Sequence, residues 1–312
     1  MRSRALVQFA RFKPLAAWSV SASVLGASLA FYLTGGSLVD PASMLLAMVC
    51  VILMQYVAHP MNDIMDLELD RKAPIASTGR FKPLVDGSAT VKEASGLSAV
   101  IVAAFILIMV VLIIGRPVLL LPAIYGTVAL FGYNHPRLRW AYRPYTELYL
   151  GVPINTLSVL VISYVGSGIV NSLSVTVSIV FGFASSAFFV SMMSMDYPTD
   201  RANGKITTVV RWPRSRYCTW FPLFGLAVAI AAVPVWMNMG APAIAMIASS
   251  VAAFAVLALY GKRVDELRMK SIHGSVDHPE ASSGNMRLGQ LGVSIVFSMV
   301  LSLVLLSGGL VH

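Results

Sequence analysis

Two runs of residues in this 312-residue chain have the composition and spacing of a site for a hard metal ion and a phosphate. The first is Asn62-Asp63-Ile64-Met65-Asp66-Leu67-Glu68-Leu69-Asp70. On a continuing helix at about 100° per residue, Asn62, Asp63, Asp66 and Asp70 fall within roughly a 100° arc. Gln55 and His59 share that arc, while Ile64, Leu67 and Leu69 lie outside it. A solvated helix end has no reason to align three carboxylates and an amide. The second run is Asp196-Tyr197-Pro198-Thr199-Asp200-Arg201-Ala202-Asn203-Gly204-Lys205. Asp196 and Asp200 are four apart and share a helical face. Gly204 is a helix terminator, and Lys205 then sits in a loop that can fold back. Pro198, inside this run, is expected to break the helix and re-aim Asp200.

Carboxylates converging from both runs would repel one another, so something cationic should sit between them. Oxygen donors without His or Cys suit a hard ion. Mg²⁺ takes one or two carboxylates and completes its shell with substrate phosphates. Nearby Lys and Arg would then neutralise the remaining phosphate charge. No loop has the spacing of a calcium-binding hand. An ion-coupled transporter is the rival from another class, but transport acids sit near mid-membrane and these lie at helix ends.

The elements that must carry these residues are membrane helices. The chain is 57% hydrophobic and only 12% charged, with a mean hydropathy of +0.77. Soluble domains carry roughly 25% charged residues, so water-soluble, disordered and disulfide-scaffold classes are excluded. The two cysteines, Cys50 and Cys218, have no metal-ligand spacing. A span needs about 20 apolar residues. Residues 14–39, 41–62, 94–115, 117–136 and 288–312 are each free of Asp, Glu, Lys and Arg. Residues 148–195 and 217–261 are charge-free over twice that length. They break at Gly166-Ser167-Gly168 with Asn171, and at Asn238-Met239-Gly240-Ala241-Pro242. The expectation is a single all-α domain over 1–312, a bundle of nine transmembrane helices. The first apolar stretch reads as helix one rather than a signal peptide.

Twenty-two of the 23 basic residues fall in the N-terminal tail and the segments 63–93, 137–147, 196–216 and 262–287; Arg116 alone falls on the other side. By the positive-inside rule the N-terminus and these four segments are cytoplasmic. The net charge of +9 thus reads as topology and attraction to anionic membrane lipid, and no nucleic-acid partner is expected. Both aspartate runs follow outside-to-inside helices, so they reach the same membrane surface.

These motifs resemble those of the UbiA superfamily of intramembrane prenyltransferases. Asn62, Asp63, Asp66 and Asp70 match its N-D-x-x-D-x-x-x-D motif, and Asp196 and Asp200 its D-x-x-x-D. Arg80-Phe81-Lys82-Pro83-Leu84-Val85-Asp86-Gly87 is similar to its R-P-L-x-x-G-like segment, and Tyr133 with Arg137 to the pair that closes its helix four. Asp196 to Thr207 and Tyr142-Arg143-Pro144-Tyr145-Thr146-Glu147 are similar to segments of the 1,4-dihydroxy-2-naphthoate polyprenyltransferase, or menaquinone, branch. Ser194-Met195 and Glu68-Leu69 depart from that branch, which commonly has Asn and Gly there.

The resemblance implies a nine-helix bundle around a central cavity open to lipid, and transfer of a prenyl or polyprenyl group from its diphosphate to a small aromatic acceptor. It implies two Mg²⁺ ions, replaceable by Mn²⁺, held by Asn62, Asp63, Asp66, Asp70, Asp196 and Asp200, with Asp66, Asp70, Asp196 and Asp200 catalytic. Lys205, Arg137, Arg139 and Tyr133, and next Arg71 and Arg80, would take the diphosphate. Arg143, whose fork suits a carboxylate, His59, beside a kink expected at Pro60, and Asn155 are the acceptor candidates. The alternatives are a terpene cyclase on the same bundle, or prenyl transfer to another aromatic or lipid acceptor. Glu147 is expected to pair with Arg143, Asn155 to hydrogen-bond between helices, and Asp265, Glu266, Asp277 and Glu280 to be solvated.

Overall fold

The computed structural model describes residues 3–11, 15–72, 82–135, 137–273 and 284–309. Arg80, Asp277 and Glu280 lie outside the described residues. A short amphipathic helix, α1 (Ser3–Ala10), precedes the first long one, α2 (Ala16–Leu33), which opens with a π turn over Ala16–Val20. Then come α3 (Pro41–Met65), the short α4 (Leu67–Lys72), α5 (Val91–Gly115) and α6 (Leu120–Asn134). α7 (Glu147–Ser167) also opens with a π turn, over Glu147–Gly151. It is followed by α8 (Ser172–Met195), the short α9 (Tyr197–Ala202) and α10 (Thr208–Arg211), and α11 (Tyr217–Ala231). α12 (Val233–Trp236), α13 (Ala241–Ile272) and α14 (Gly284–Gly309) complete the chain.

Among the described residues seven helices are long and apolar enough to cross a membrane, and eight if the pair Tyr217–Ala231 and Val233–Met239, bent by 44°, is one broken span. The segment expected as span four, Pro117–Tyr133, is an apolar helix shorter than these. The chain is a multi-pass integral membrane protein.

α8 is the hub. It packs on α7, α11, α13 and α14, and 72% of its span is buried, against 22% for α5. Its buried face is rich in small residues, Ser174, Ser178, Gly182, Ala184 and Ser185 among them, which let backbones approach where apolar burial supplies no drive between helices. A Cβ on Gly182 would strike the Val152 carbonyl and Thr156 of α7. α3 packs on α5, and α2 on α7 and α14.

One end of the bundle is tied by Asp40. Its carboxylate caps α3 by accepting from the Ser43 N–H at 2.9 Å, and pairs with Arg116, after α5, at 2.8 Å. The Ser43 N–H and the Arg116 guanidinium hold its pKa down to about 2. At the opposite end, Ala5 and Phe9 of α1 are buried with Leu84, Ala89 and Ala94 and pack on Ile64 and Leu67, which lays α1 across the end of α3.

α13 runs to Ile272, well past the charge-free limit. Asp265 and Arg268 are buried, which corrects the solvated reading of Asp265. A Cβ on Gly261 would collide with the Cys218 carbonyl. The close approach it permits sets the Asp265 carboxylate, one turn on, beneath the start of α11. There it accepts from the Thr219 N–H at 2.9 Å and the Thr219 hydroxyl at 2.8 Å. Arg268 donates to Asp265 at 2.9 Å and to the Ser215 carbonyl.

Candidate active site

Each aspartate run forms a corner between a long helix and a short one. Asp66 (φ −91°, ψ 6°) separates α3 from α4, and Asp196 (φ −78°, ψ 2°) separates α8 from α9. The two corners share their hydrogen bonds. The Asp66 N–H donates to Asn62 O at 2.9 Å and the Asp70 N–H to Asp66 O at 2.8 Å; the Asp196 N–H donates to Met192 O at 3.0 Å and the Asp200 N–H to Asp196 O at 2.8 Å. The break therefore falls at Asp196 itself, and Pro198 lies in the first turn of α9, where its missing N–H is no loss. α3 continues as one helix through Pro60.

Gly204, at φ +70°, ends α9. Its N–H donates to Arg201 O at 3.3 Å and the Lys205 N–H to Asp200 O at 2.8 Å, the paired closure of a glycine-terminated helix. That turn carries the Lys205 ammonium back to the Asp200 carboxylate, 3.6 Å away.

Asp63, Asp66, Asp70 and Asp200 are all buried. Asp63 pairs with Arg11 and Asp70 with Lys82. Asp66 accepts from the Tyr142 hydroxyl at 2.7 Å and the Asn62 amide at 3.1 Å. Lys205 lies 5.3 Å from the centre of the Tyr142 ring. Burial pushes the Asp70 pKa up, with Lys82 opposing. Burial also raises Asp200, with Lys205 opposing and Asp196 and Asp66 adding. Burial disfavours the Lys205 ammonium, but Asp200 and Asp66 more than offset it and its pKa is raised.

Among the described residues Asp63, Asp70 and Asp200 each pair with a cation, Arg11, Lys82 and Lys205 respectively, and the buried Asp70 Oδ2 has no hydrogen-bond partner there. Among the described residues no three His, Cys, Asp or Glu side chains are grouped to enclose an ion alone. The donor set instead fits an ion that takes one or two carboxylates and fills its shell from a phosphate.

A cavity of about 700 Å³ opens from this cluster into the bundle. Asn62, Asp66, Asp70, Asp196, Asp200, Lys205, Arg11 and Lys82 line its polar end, and Val51, Met54, Leu130, Ile154, Phe188 and Phe189 its apolar depth. The two π turns feed its wall, one with Trp18 and Ser19, the other with Leu150 and Gly151; such turns recur at functional sites. The Ser19 hydroxyl donates to Gln55, and both line the cavity.

Tyr133, His59 and Asn155 also line it. The Asn155 amide donates to Gly151 O of its own helix at 2.9 Å, where a bond between helices was expected. Asp63 stands behind the wall on Arg11. Arg71 is exposed and pairs with Glu68 at 3.1 Å. Arg137, Arg139 and Arg143 are exposed and none lines the cavity; Arg139 lies 5.2 Å from the Tyr142 ring. Glu147 is buried and accepts from Thr208 at 2.8 Å and Tyr217 at 2.5 Å, so it does not await Arg143 as a counter-ion. Sequence reasoning passed over Arg11, Lys82 and Tyr142. Lys82 and Tyr142 lie within segments that resembled family motifs, and only the fold brings Arg11 to the aspartates.

The UbiA prenyltransferase family model matches residues 23–272. No curated protein matches at the sequence level. Among solved structures, the chain is similar to the apo UbiA homologue from Aeropyrum pernix K1, with TM-score 0.62, 19% identity, and coverage of 92% of this chain and 97% of that one. It is also similar to a UbiA homologue from Archaeoglobus fulgidus bound to GPP and Mg²⁺, with TM-score 0.59, 15% identity, and coverage of 97% and 99%. A third structure, from work on digeranylgeranylglyceryl phosphate synthase in membranes, has TM-score 0.58, 14% identity, and coverage of 99% of each chain. At these identities the structures speak for the fold, and the sequence match speaks for the family. Two aspartate corners at the mouth of an apolar cavity, in a chain whose match extends over most of its length, belong to a membrane enzyme of the UbiA prenyltransferase family.

Proposed function

We propose that the chain transfers a prenyl or polyprenyl group from its diphosphate to a small aromatic acceptor, with menaquinone-type quinone biosynthesis as its setting. The observation that carries this reading is the convergence of both aspartate corners on one end of a large apolar cavity. The Archaeoglobus homologue bound to GPP and Mg²⁺, and the same protein bound to DMAPP and Mg²⁺, support a prenyl diphosphate with a divalent metal as the ligand here. Asp66, Asp70, Asp196 and Asp200, with Asn62 and Asp63 in support, would hold that metal. When bound, Mg²⁺ supplies positive charge against the leaving diphosphate.

The chain's own residues do the rest. Lys205, Lys82 and Arg11 neutralise the remaining charge of the diphosphate, with Tyr133 beside them on the wall. That favours cleavage of the allylic C–O bond, with the electron pair leaving on oxygen. The apolar walls exclude water from the allylic cation. An electron-rich ring carbon of the acceptor then forms the new C–C bond, and its proton passes to the released diphosphate. His59, Asn155, Gln55 and Ser19 are among the polar groups lining the cavity that an acceptor's hydroxyl or carboxylate groups would meet. Since the basic segments share the aspartate end, that end and the N-terminus face the cytoplasm in this reading.

The test is product analysis of the purified protein with labelled prenyl diphosphates, Mg²⁺, and a panel of aromatic acceptors present or withheld. Prenylated acceptor should form only when both acceptor and Mg²⁺ are supplied. Hydrocarbon or terpene alcohol released at full rate without acceptor would replace the transferase reading with a cyclase.

A further inference from the structure

A second, narrower space of about 50 Å³ adjoins the main cavity where α3, α5, α6 and α7 meet. Val51, Met54, Gly126, Ile154 and Ser158 line both spaces, so the two adjoin along these five residues. Its own walls are apolar: Ala47, Phe105, Leu112, Ala123, Leu157 and Val161. Ala47, Phe105 and Leu112 are buried, and Ala123, Leu157 and Val161 are half-buried. Its two polar atoms are satisfied within the protein, the Ser158 hydroxyl on Ile154 O at 2.8 Å and the Cys50 thiol facing Phe105 O at 4.0 Å. Nothing in it calls for water, so it is a dry space for an apolar group.

Its depth is also suited to the far end of a chain anchored at the aspartates. Along α3, Met54 lies roughly 18 Å from Asp66, and Ala47 roughly 10 Å beyond Met54, at 1.5 Å per residue. Gly126 and Met54 line both spaces where they adjoin, and a Cβ at 126 would come within 3.1 Å of the Met54 sulfur. Any side chain at position 126 would press Met54 and narrow the mouth.

We propose that this branch receives the terminal isoprene unit of a long prenyl donor, and that its mouth at Gly126 and Met54 makes the enzyme selective for donor chain length. The inference rests on the prenyl-diphosphate reading above. Interiors are close-packed, and this space has the lining, position and depth of a tail site.

The test compares kcat/KM for dimethylallyl, geranyl, farnesyl and geranylgeranyl diphosphates and one longer polyprenyl diphosphate. Wild type, Ala123→Leu, Gly126→Val and Leu157→Ala are measured. The filling variants Ala123→Leu and Gly126→Val should lower the ratio of the longest donor to geranyl diphosphate by about tenfold or more, since added methylenes in an apolar pocket discriminate on that scale. Leu157→Ala, which enlarges the branch, should shift the ratio toward longer donors. An unchanged ratio in a filling variant that still uses geranyl diphosphate overturns the inference. If neither filling variant folds, an unchanged ratio in Leu157→Ala overturns it instead. Wild-type protein that turns over none of the donors overturns the prenyl-diphosphate reading, and the inference with it.

Discussion

Lys82 on Asp70 and Lys205 on Asp200 give each short helix beyond a corner its own ammonium. Both reach the cavity, so both can turn from carboxylate to diphosphate when substrate arrives. Lys82→Ala should raise the donor KM on the order of tenfold, the scale of one hydrogen bond to a charged group, and Lys82→Arg should restore part of it. A donor KM equal to wild type in Lys82→Ala would leave Lys82 a structural counter-ion of Asp70. Lys205 was legible in the sequence because Gly204 announces a left-handed turn that reverses the chain. Arg11 was not. It stands 52 residues from Asp63 in sequence, and only the seating of Ala5 and Phe9 against Leu84 and Ala89 delivers it. Arg137, Arg139 and Arg143 are adjacent to the motifs in the expected topology, yet they are exposed: residue type and membrane side do not fix which way a side chain in a loop faces.

Among the elements, the corner is the repeated unit, and its function depends on how tightly the long helices are held. Gly261 sets the approach of α13 to the start of α11, where Asp265 supplies the cap. Gly261→Val should destabilise the fold by about 1–3 kcal/mol, the range for overpacking a tight contact, seen as a lower unfolding midpoint in detergent. A midpoint equal to wild type would show that α11 and α13 can part without cost. The spans were legible because a bilayer tolerates few charges, and their absence marks each helix directly. The overrun of α13 to Ile272 was hidden, since Asp265 looks solvated until Thr219 of α11, and Arg268 with the Ser215 carbonyl before it, provide its surroundings. The two π turns and the break at Asp66 carry no sequence signal of comparable strength: helical phasing places the aspartates on one face but does not show where the helix turns.

The whole molecule is polar at its two ends in different ways. Asp40 and Arg116 close one end, while the aspartate corners, α1 and the 82–94 segment share the other. Cys50 and Cys218 are both buried, so introduced cysteines can be labelled against a silent background. An impermeant thiol reagent applied from outside the cell should modify Ser37→Cys and leave Asp86→Cys and Arg214→Cys untouched until the membrane is opened. Labelling of Asp86→Cys from outside would reverse the orientation and expose the site to the wrong compartment. The orientation rests on the distribution of basic residues alone, a signal that sequence carries in full; the cavity and its branch rest on packing among helices distant in sequence, which it does not. The central claim, that the two corners act together on one prenyl diphosphate, is tested most directly by the release of diphosphate from geranyl diphosphate in the presence of acceptor, with Mg²⁺ or with a chelator, in wild type, Asp66→Asn and Asp200→Asn. The account predicts release with Mg²⁺ that stops in the chelator and falls by about a hundredfold or more in either variant while the protein stays folded. Release at the wild-type rate in the chelator, or in both variants, would contradict it.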